Sequence, residues 1–261
     1  MDSKKKIYYA RTYRRLQIRW ERTIVLACLL ILPTTIIFLM MLDALTDMIT
    51  RTGTELLSKV IAAENMHIVS TAYSILSRMS YIKLSTVYPT ISMILWNMGI
   101  CFLLLLLIFV LRKGSRPFAI FSLFAIVIHM VSCMYFLFAA DRFPYTAGQY
   151  SELYLKQQTG IWLTFIVLAG LVTTFIGENG YFWKLVTFLS IIAYSLIFGA
   201  VRYILFLFLL YRYSVLYMAL LFFVFGPMFD YSYFVAIYAI FVNKNINDYE
   251  FGKKKGVWKW S

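Results

Sequence analysis

Apolar residues run along this chain in long stretches that short basic or polar clusters separate, the first at 23–41 and the last ending near Phe241. A stretch of about 18 or more such residues crosses the hydrocarbon of a bilayer as a helix, because lipid offers the backbone no other hydrogen-bonding partner. Six stretches qualify by apolar length, at 23–43, 89–111, 117–139, 159–177, 185–210 and 215–243. They predict an all-α, polytopic transmembrane helix bundle. The last two, about 26 and 29 residues, exceed what a bilayer needs. The final one contains Gly226-Pro227, which removes a backbone donor, so a broken or re-entrant helix is expected near 226–230, with up to eight membrane segments in all.

The longest segment without a span, 43–88, carries Leu45, Met48, Ile49, Leu56, Val60 and Ile61 on a helical period, with Asp47, Arg51, Glu55, Lys59 and Glu64 between them. This predicts an amphipathic helix on the membrane surface; a lid over an outward-facing cavity would use the same pattern. Glu178-Asn179-Gly180 reads as a hairpin turn between two spans.

Composition removes the soluble alternatives. Hydrophobic residues make up 62% of 261 and charged residues 14%, and mean hydropathy is +0.76. The segments outside 23–243, a basic amino-terminal 1–22 and a basic tail 244–261, are too short to bury a core. One membrane domain is expected.

The net charge of +13 sits at span ends. Lys4, Lys5, Lys6, Arg11, Arg14, Arg15, Arg19 and Arg22 precede the first span, Arg112, Lys113 and Arg116 follow the second, and Lys253, Lys254, Lys255 and Lys259 lie near the end. Under the positive-inside rule these clusters predict a multi-pass protein of the cell membrane with both termini cytoplasmic and with 43–88, 140–158 and 211–214 outside. The aromatics among them (Tyr8, Tyr9, Tyr13, Trp20, Trp258, Trp260) suit anchoring at the headgroup layer, so membrane lipids are expected as partners and nucleic acid is not. The basic start is too long for a cleaved secretory signal, and 23–41 is expected to remain as a span. Cys28, Cys101 and Cys133 all lie in apolar runs, where no extracellular disulfide framework can use them.

Four polar groups inside the spans could carry chemistry. Arg202 is followed by a long apolar stretch before Tyr211; an intramembrane guanidinium is a functional candidate by default, the alternative being a side chain that snorkels to the outer interface. Asp230 offers the opposite charge, or else caps a helix starting at Tyr231. His129 and Cys133, four apart, share a helix face; a thiolate–imidazole pair is one reading, a core histidine bonded to a neighbouring helix the other. His67 has no partner in view. Two ligands make no metal site, and no Walker motif, zinc-binding helix, dinucleotide fingerprint or nucleophile elbow occurs, so neither metal nor cofactor is expected.

From Glu152 to Phe241 the order is an outer polar segment, Gln157-Gln158-Thr159-Gly160-Ile161 opening a span, a short turn, a span carrying Gly199-Ala200-Val201-Arg202, and Phe229-Asp230-Tyr231 before the last apolar run. This part, 152–241, resembles the exosortase and archaeosortase family of membrane transpeptidases. The resemblance implies a cysteine nucleophile in an Ala-Cys-Ser-Gly-like motif, an arginine in Asn-x-x-Arg, and a histidine near the start of the last span. Arg202 stands at the arginine, Gln158 at the cysteine, Gly199 at the asparagine and Asp230 near the histidine. An amide cannot act as a thiolate, so the resemblance implies a catalytically degenerate member. It also implies a setting in cell-envelope or exopolysaccharide assembly, with Gln158, Arg202 and Asp230 lining a binding site and a membrane glycosyltransferase or a substrate's transmembrane helix as partner. The enzyme alternative is a divergent cysteine transpeptidase or protease using Cys133 with His129, or Cys101, beside Arg202. A secondary transporter ranks third, since no inverted repeat is visible and intramembrane carboxylates are few.

Overall fold

The computed structural model of the chain describes residues 14–16, 20–74, 77–110, 116–175, 181–250 and 258–260. Its helices are α1 (Trp20–Leu57), α2 (Ile91–Val110), α3 (Arg116–Ala139), α4 (Ala147–Phe175), α5 (Tyr181–Arg212) and α6 (Pro227–Glu250). Its strands are β1 (Arg14–Leu16), β2 (Met66–Ala72), β3 (Arg78–Leu84) and β4 (Trp258–Trp260). Among the described residues, six stretches are long and apolar enough to cross a membrane, namely α1 to α5 and the segment Val215–Asn243. The molecule is a polytopic helix bundle, as the apolar runs require. The turn expected at 178–180 lies outside the described residues.

Hydrogen bonds place the connections on alternate sides. The Ala147 N–H donates to Thr86 Oγ1 (3.1 Å) and the Val215 N–H to the Val87 carbonyl (3.0 Å). The chain leaving β3, the start of α4 and the turn after α5 therefore share one end of the bundle. At the other end, Lys184 Nζ donates to the Thr174 carbonyl (3.1 Å). There too β1 pairs antiparallel with β4, Arg15 opposite Lys259, so the described segments before α1 and after α6 lie together, as an even number of crossings demands.

The segment 43–88 departs from the surface helix that its period suggests. The period is genuine as far as Leu57, but those residues continue α1, a helix of 38 residues, about 57 Å long against about 30 Å of hydrocarbon. The excess forms a stalk. Its Leu42, Ile49 and Leu57 are buried, as are Thr46 and Thr50. Beyond Met66 the chain turns into the β2–β3 hairpin, Ile68 opposite Ile82 and Ser70 opposite Ser80, whose Met79, Ile82 and Leu84 are buried on the helices. Strand β3 packs on α1 and α4. The Ser80 N–H donates to Thr46 Oγ1 (3.1 Å), and the Ile82 N–H to Tyr203 Oη (2.8 Å). These side chains satisfy donors that an isolated two-stranded ribbon would leave open.

The polar stretch before Thr159 is likewise helical, since α4 begins at Ala147. Glu152 and Lys156 form an i, i+4 pair (2.6 Å), and Thr71 Oγ1 donates to the same carboxylate (3.3 Å), tying the hairpin to α4. Burial first, and then that carboxylate, raises the Tyr81 phenol above its usual range.

The last span is broken where Gly226-Pro227 predicts. After Ser214, held at φ 155°, come a 3₁₀ turn (Val215–Tyr217) and a π turn (Leu220–Val224). The chain then unwinds at Phe225 and Gly226 and restarts as α6 at Pro227, the first helical position, where the missing N–H costs nothing. A β-carbon at 226 would collide with the Phe222 carbonyl oxygen, so glycine alone fits the break. The two halves make one crossing, and the described residues hold six rather than eight.

Candidate functional site

Arg202 lies late in α5. The rise from Tyr181 is about 32 Å, which puts it near the hydrocarbon boundary on the hairpin side. It does not snorkel: it is 5% exposed. A guanidinium has five N–H donors in a fixed fork, and each has an acceptor here. Nε donates to Tyr154 Oη (2.5 Å), Nη1 to the carbonyls of Phe225 (3.2 Å) and Gly226 (2.9 Å), and Nη2 to Gln158 Oε1 and Asp230 Oδ2 (both 2.5 Å). The rings of Tyr154, Phe198 and Phe206 stack within 6.0 Å of the guanidinium carbon, where their faces attract the cation.

Three elements build this node for separate local reasons. Tyr154 and Gln158 are four apart on α4 and so share a face. Gly199 lets α5 approach that face: a β-carbon there would lie 2.7 Å from Gln158 Nε2 and 3.0 Å from Trp162 Cζ2. The break before α6 frees the Phe225 carbonyl, which an unbroken helix would have engaged, while the Gly226 carbonyl also accepts from the Phe229 N–H (3.2 Å). Asp230 is fully buried in the first turn of α6, too far inside to cap that helix. Its other oxygen, Oδ1, accepts from the Tyr233 hydroxyl (2.9 Å), and Ser195 Oγ lies 2.7 Å from the Tyr233 oxygen. The carboxylate is thus held at both oxygens, as a buried ion pair needs.

Gln158, Arg202 and Asp230, singled out from sequence, therefore meet in one contact set. His129 and Cys133 are not part of it. His129 Nε2 is 3.1 Å from Asn97 Oδ1, and the ring stacks on Tyr217 at 4.9 Å, whose hydroxyl donates to the same Asn97 oxygen (2.7 Å). This is the core histidine bonded to a neighbouring helix. Cys101 and Cys133 are buried free thiols, and neither is among the five acceptors of Arg202. Among the described residues, no three His, Cys, Asp or Glu side chains gather as a metal site would require.

Sequence reasoning missed Tyr154, Tyr233, Ser195 and the two carbonyls. The tyrosines carried a signal, standing one helical turn from Gln158 and Asp230. The carbonyls carried none, because backbone acceptors leave no mark in residue identity. Comparison with protein-family models, with curated proteins and with solved structures finds no match.

Chemically, the node is closed. The amide of Gln158 can point only one way, since the guanidinium donates and never accepts. Its Nε2 is then buried with no partner among the described residues. With all five N–H donors taken, the cation has none left for an oxyanion.

Proposed function

We propose that this chain is a non-catalytic membrane protein, organised like an exosortase around Gln158, Arg202 and Asp230, that serves as an accessory in cell-envelope or exopolysaccharide assembly, with its termini on the cytoplasmic side. The observation that carries the reading is the convergence of the three family-equivalent positions on one guanidinium, with glutamine in place of the nucleophile and all five donors satisfied within the protein. An arginine in a transpeptidase must have a donor available for the developing negative charge; this one spends its donors on holding α4, α5 and α6 together. The role left to such an outward-side scaffold is to engage another membrane component, a glycosyltransferase or a substrate helix.

Deletion of the gene in its cell of origin, followed by complementation, tests this. A variant with Cys28, Cys101 and Cys133 all replaced by alanine should restore surface polysaccharide, and an Arg202→Met variant should not. Loss of complementation by Cys133→Ala at normal abundance would restore the enzyme reading. Unchanged surface polysaccharide in the deletion strain would remove the assembly role.

A further inference from the structure

In an antiparallel ribbon, alternate residues turn their backbone groups toward the partner strand and those between turn them away. In the β2–β3 hairpin the odd-numbered residues face inward. The pairs that continue its register at either end are bonded, the Ser85 N–H donating to the Asn65 carbonyl (3.1 Å) and the Tyr73 N–H to the Ser77 carbonyl (3.0 Å). On β3 the even-numbered residues give their outward N–H groups to the bundle, Ser80 to Thr46 Oγ1 and Ile82 to Tyr203 Oη. The residues opposite them on β2, Ser70 and Ile68, turn their backbone groups the other way, where no hydrogen-bond partner stands among the described residues. We propose that this edge of β2 binds, by strand addition, an extended segment of a different protein, one that sets an apolar side chain beside Ile68 and an acidic one beside His67.

Three observations lead there. The edge carries none of the devices that blunt natural sheet edges, which are lysine, proline, a bulge or a very short strand. Met66–Ala72 holds no proline, lysine or arginine, it pairs without a bulge from Met66 opposite Leu84 to Ala72 opposite Arg78, and Ile68 is exposed on it. Second, the open N–H and C=O groups recur about every 6.8 Å along β2, an interval that an extended backbone matches group for group. Third, the strand cannot come from a second copy of this chain inserted the same way. One face of the ribbon looks at α1, where Ile82 Cδ1 lies 3.1 Å from the place of a β-carbon on Gly53. The other looks at α4, where Thr159 Oγ1 reaches Met79 Sδ (3.9 Å) and Thr71 Oγ1 reaches Glu152. The normal to the ribbon therefore lies across the bundle, in the plane of the bilayer. The two-fold axis of a symmetric antiparallel pair runs along that normal, so the second copy would face the opposite way across the membrane. What borders the edge sets the chemistry of the partner. On the α1 face it is Ile68; on the α4 face it is His67, with Lys83 opposite it, both exposed, and a cation across the ribbon favours a carboxylate. The edge owes nothing to the Arg202 node, and a chain without any assembly role would still present it.

The full chain in phosphatidylcholine nanodiscs is titrated with a synthetic peptide of alternating valine and threonine that carries glutamate at each end of its threonine face, and amide exchange is followed residue by residue by NMR. Exchange at Ile68 and Ser70 should slow by about tenfold or more on addition, while Val69 and Tyr81, already bonded across the hairpin, should stay as they were. A peptide with lysine in place of the glutamates should bind about tenfold more weakly. Ser70→Pro removes one open donor without touching a bond of the ribbon; it should abolish the protection of Ile68 and leave Val69 and Tyr81 slow, which shows the hairpin intact. Ile68→Lys puts a charge on the edge and serves the same end should the proline variant fail to fold. No slowing at Ile68 and Ser70, or slowing that survives both substitutions, would overturn the site. Equal binding of the lysine peptide would overturn the acidic assignment. Protection of Ile68 and Ser70 without any peptide, lost when the protein is diluted, would give the edge to a second copy and overturn the heterologous partner.

Discussion

Replacing Arg202 by methionine removes five hydrogen bonds at once, and the acceptors left behind differ in how they can recover. Tyr154 and Gln158 can rotate. The Gly226 carbonyl keeps the Phe229 N–H, but the Phe225 carbonyl cannot recover without rewinding the last span, and a buried orphan costs about 1–3 kcal/mol. An unpaired buried carboxylate at Asp230 adds about 3–5 kcal/mol. The single change should therefore destabilise by at least about 4 kcal/mol. Asp230→Leu, which leaves the cation with neutral acceptors only, should cost about 3–5 kcal/mol. In the double variant only the Phe225 carbonyl remains orphaned, so it should be no less stable than Arg202→Met alone, with a coupling energy of about 3 kcal/mol. Arg202→Lys keeps the charge but offers three donors where five are used, and should recover only part of the loss. Denaturant titration in mixed micelles, followed by circular dichroism, measures all four. Strictly additive effects, or an Arg202→Met protein within about 1 kcal/mol of the unmodified one, would refute the closed node.

Gly199→Ala should push Gln158 and Trp162 away from α5, because the new carbon would lie 2.7 Å from the amide nitrogen; a loss of about 1–3 kcal/mol in the same titration is expected, and no loss would mean that the helices are not in close contact there. Tyr203→Phe removes the acceptor of the Ile82 N–H and the partner of Ser151, 2.7 Å away, at a cost of about 1–3 kcal/mol; hydrogen exchange at Ile82 should quicken well before exchange in α4 does. Reporter fusions after Lys113, Lys184 and Lys255 should read cytoplasmic, and those after Lys59 and Thr146 external; a reversed pattern would overturn the orientation taken from the basic clusters.

What could be read from sequence divides along a physical line. Span number and the break at Gly226-Pro227 were legible because bilayer thickness and proline chemistry act on the chain locally. So was the meeting of Arg202 with Asp230, since a buried cation in lipid has few possible partners. The β2–β3 hairpin was not legible. Its helical-looking approach belongs to an overlong α1, and strands of seven residues with one face on a helix give a weak alternation that Ser80 interrupts. The start of α4 was misread for a related reason: Glu152 and Lys156 look like loop polarity until each is seen to be the other's partner one turn away. Tyr154 and the carbonyls before α6 became visible only once three helices were in place.

The node's members are also spread unevenly in time of synthesis. Tyr154 and Gln158 leave the ribosome first, Arg202 next, and Phe225, Gly226 and Asp230 last. A charge carried in a span is costly to insert without a partner, and when α5 enters the membrane only the two α4 side chains exist to meet that of Arg202. The helical hairpin of α4 and α5 is thus the smallest unit that can carry Arg202 into lipid with any partner at all. The final span arrives with its helix already interrupted by Gly226-Pro227 and supplies the carboxylate and both carbonyls together. Insertion of this span and closure of the node are then a single event, which makes it the step at which a misassembled copy would still display an unmatched charge to quality control.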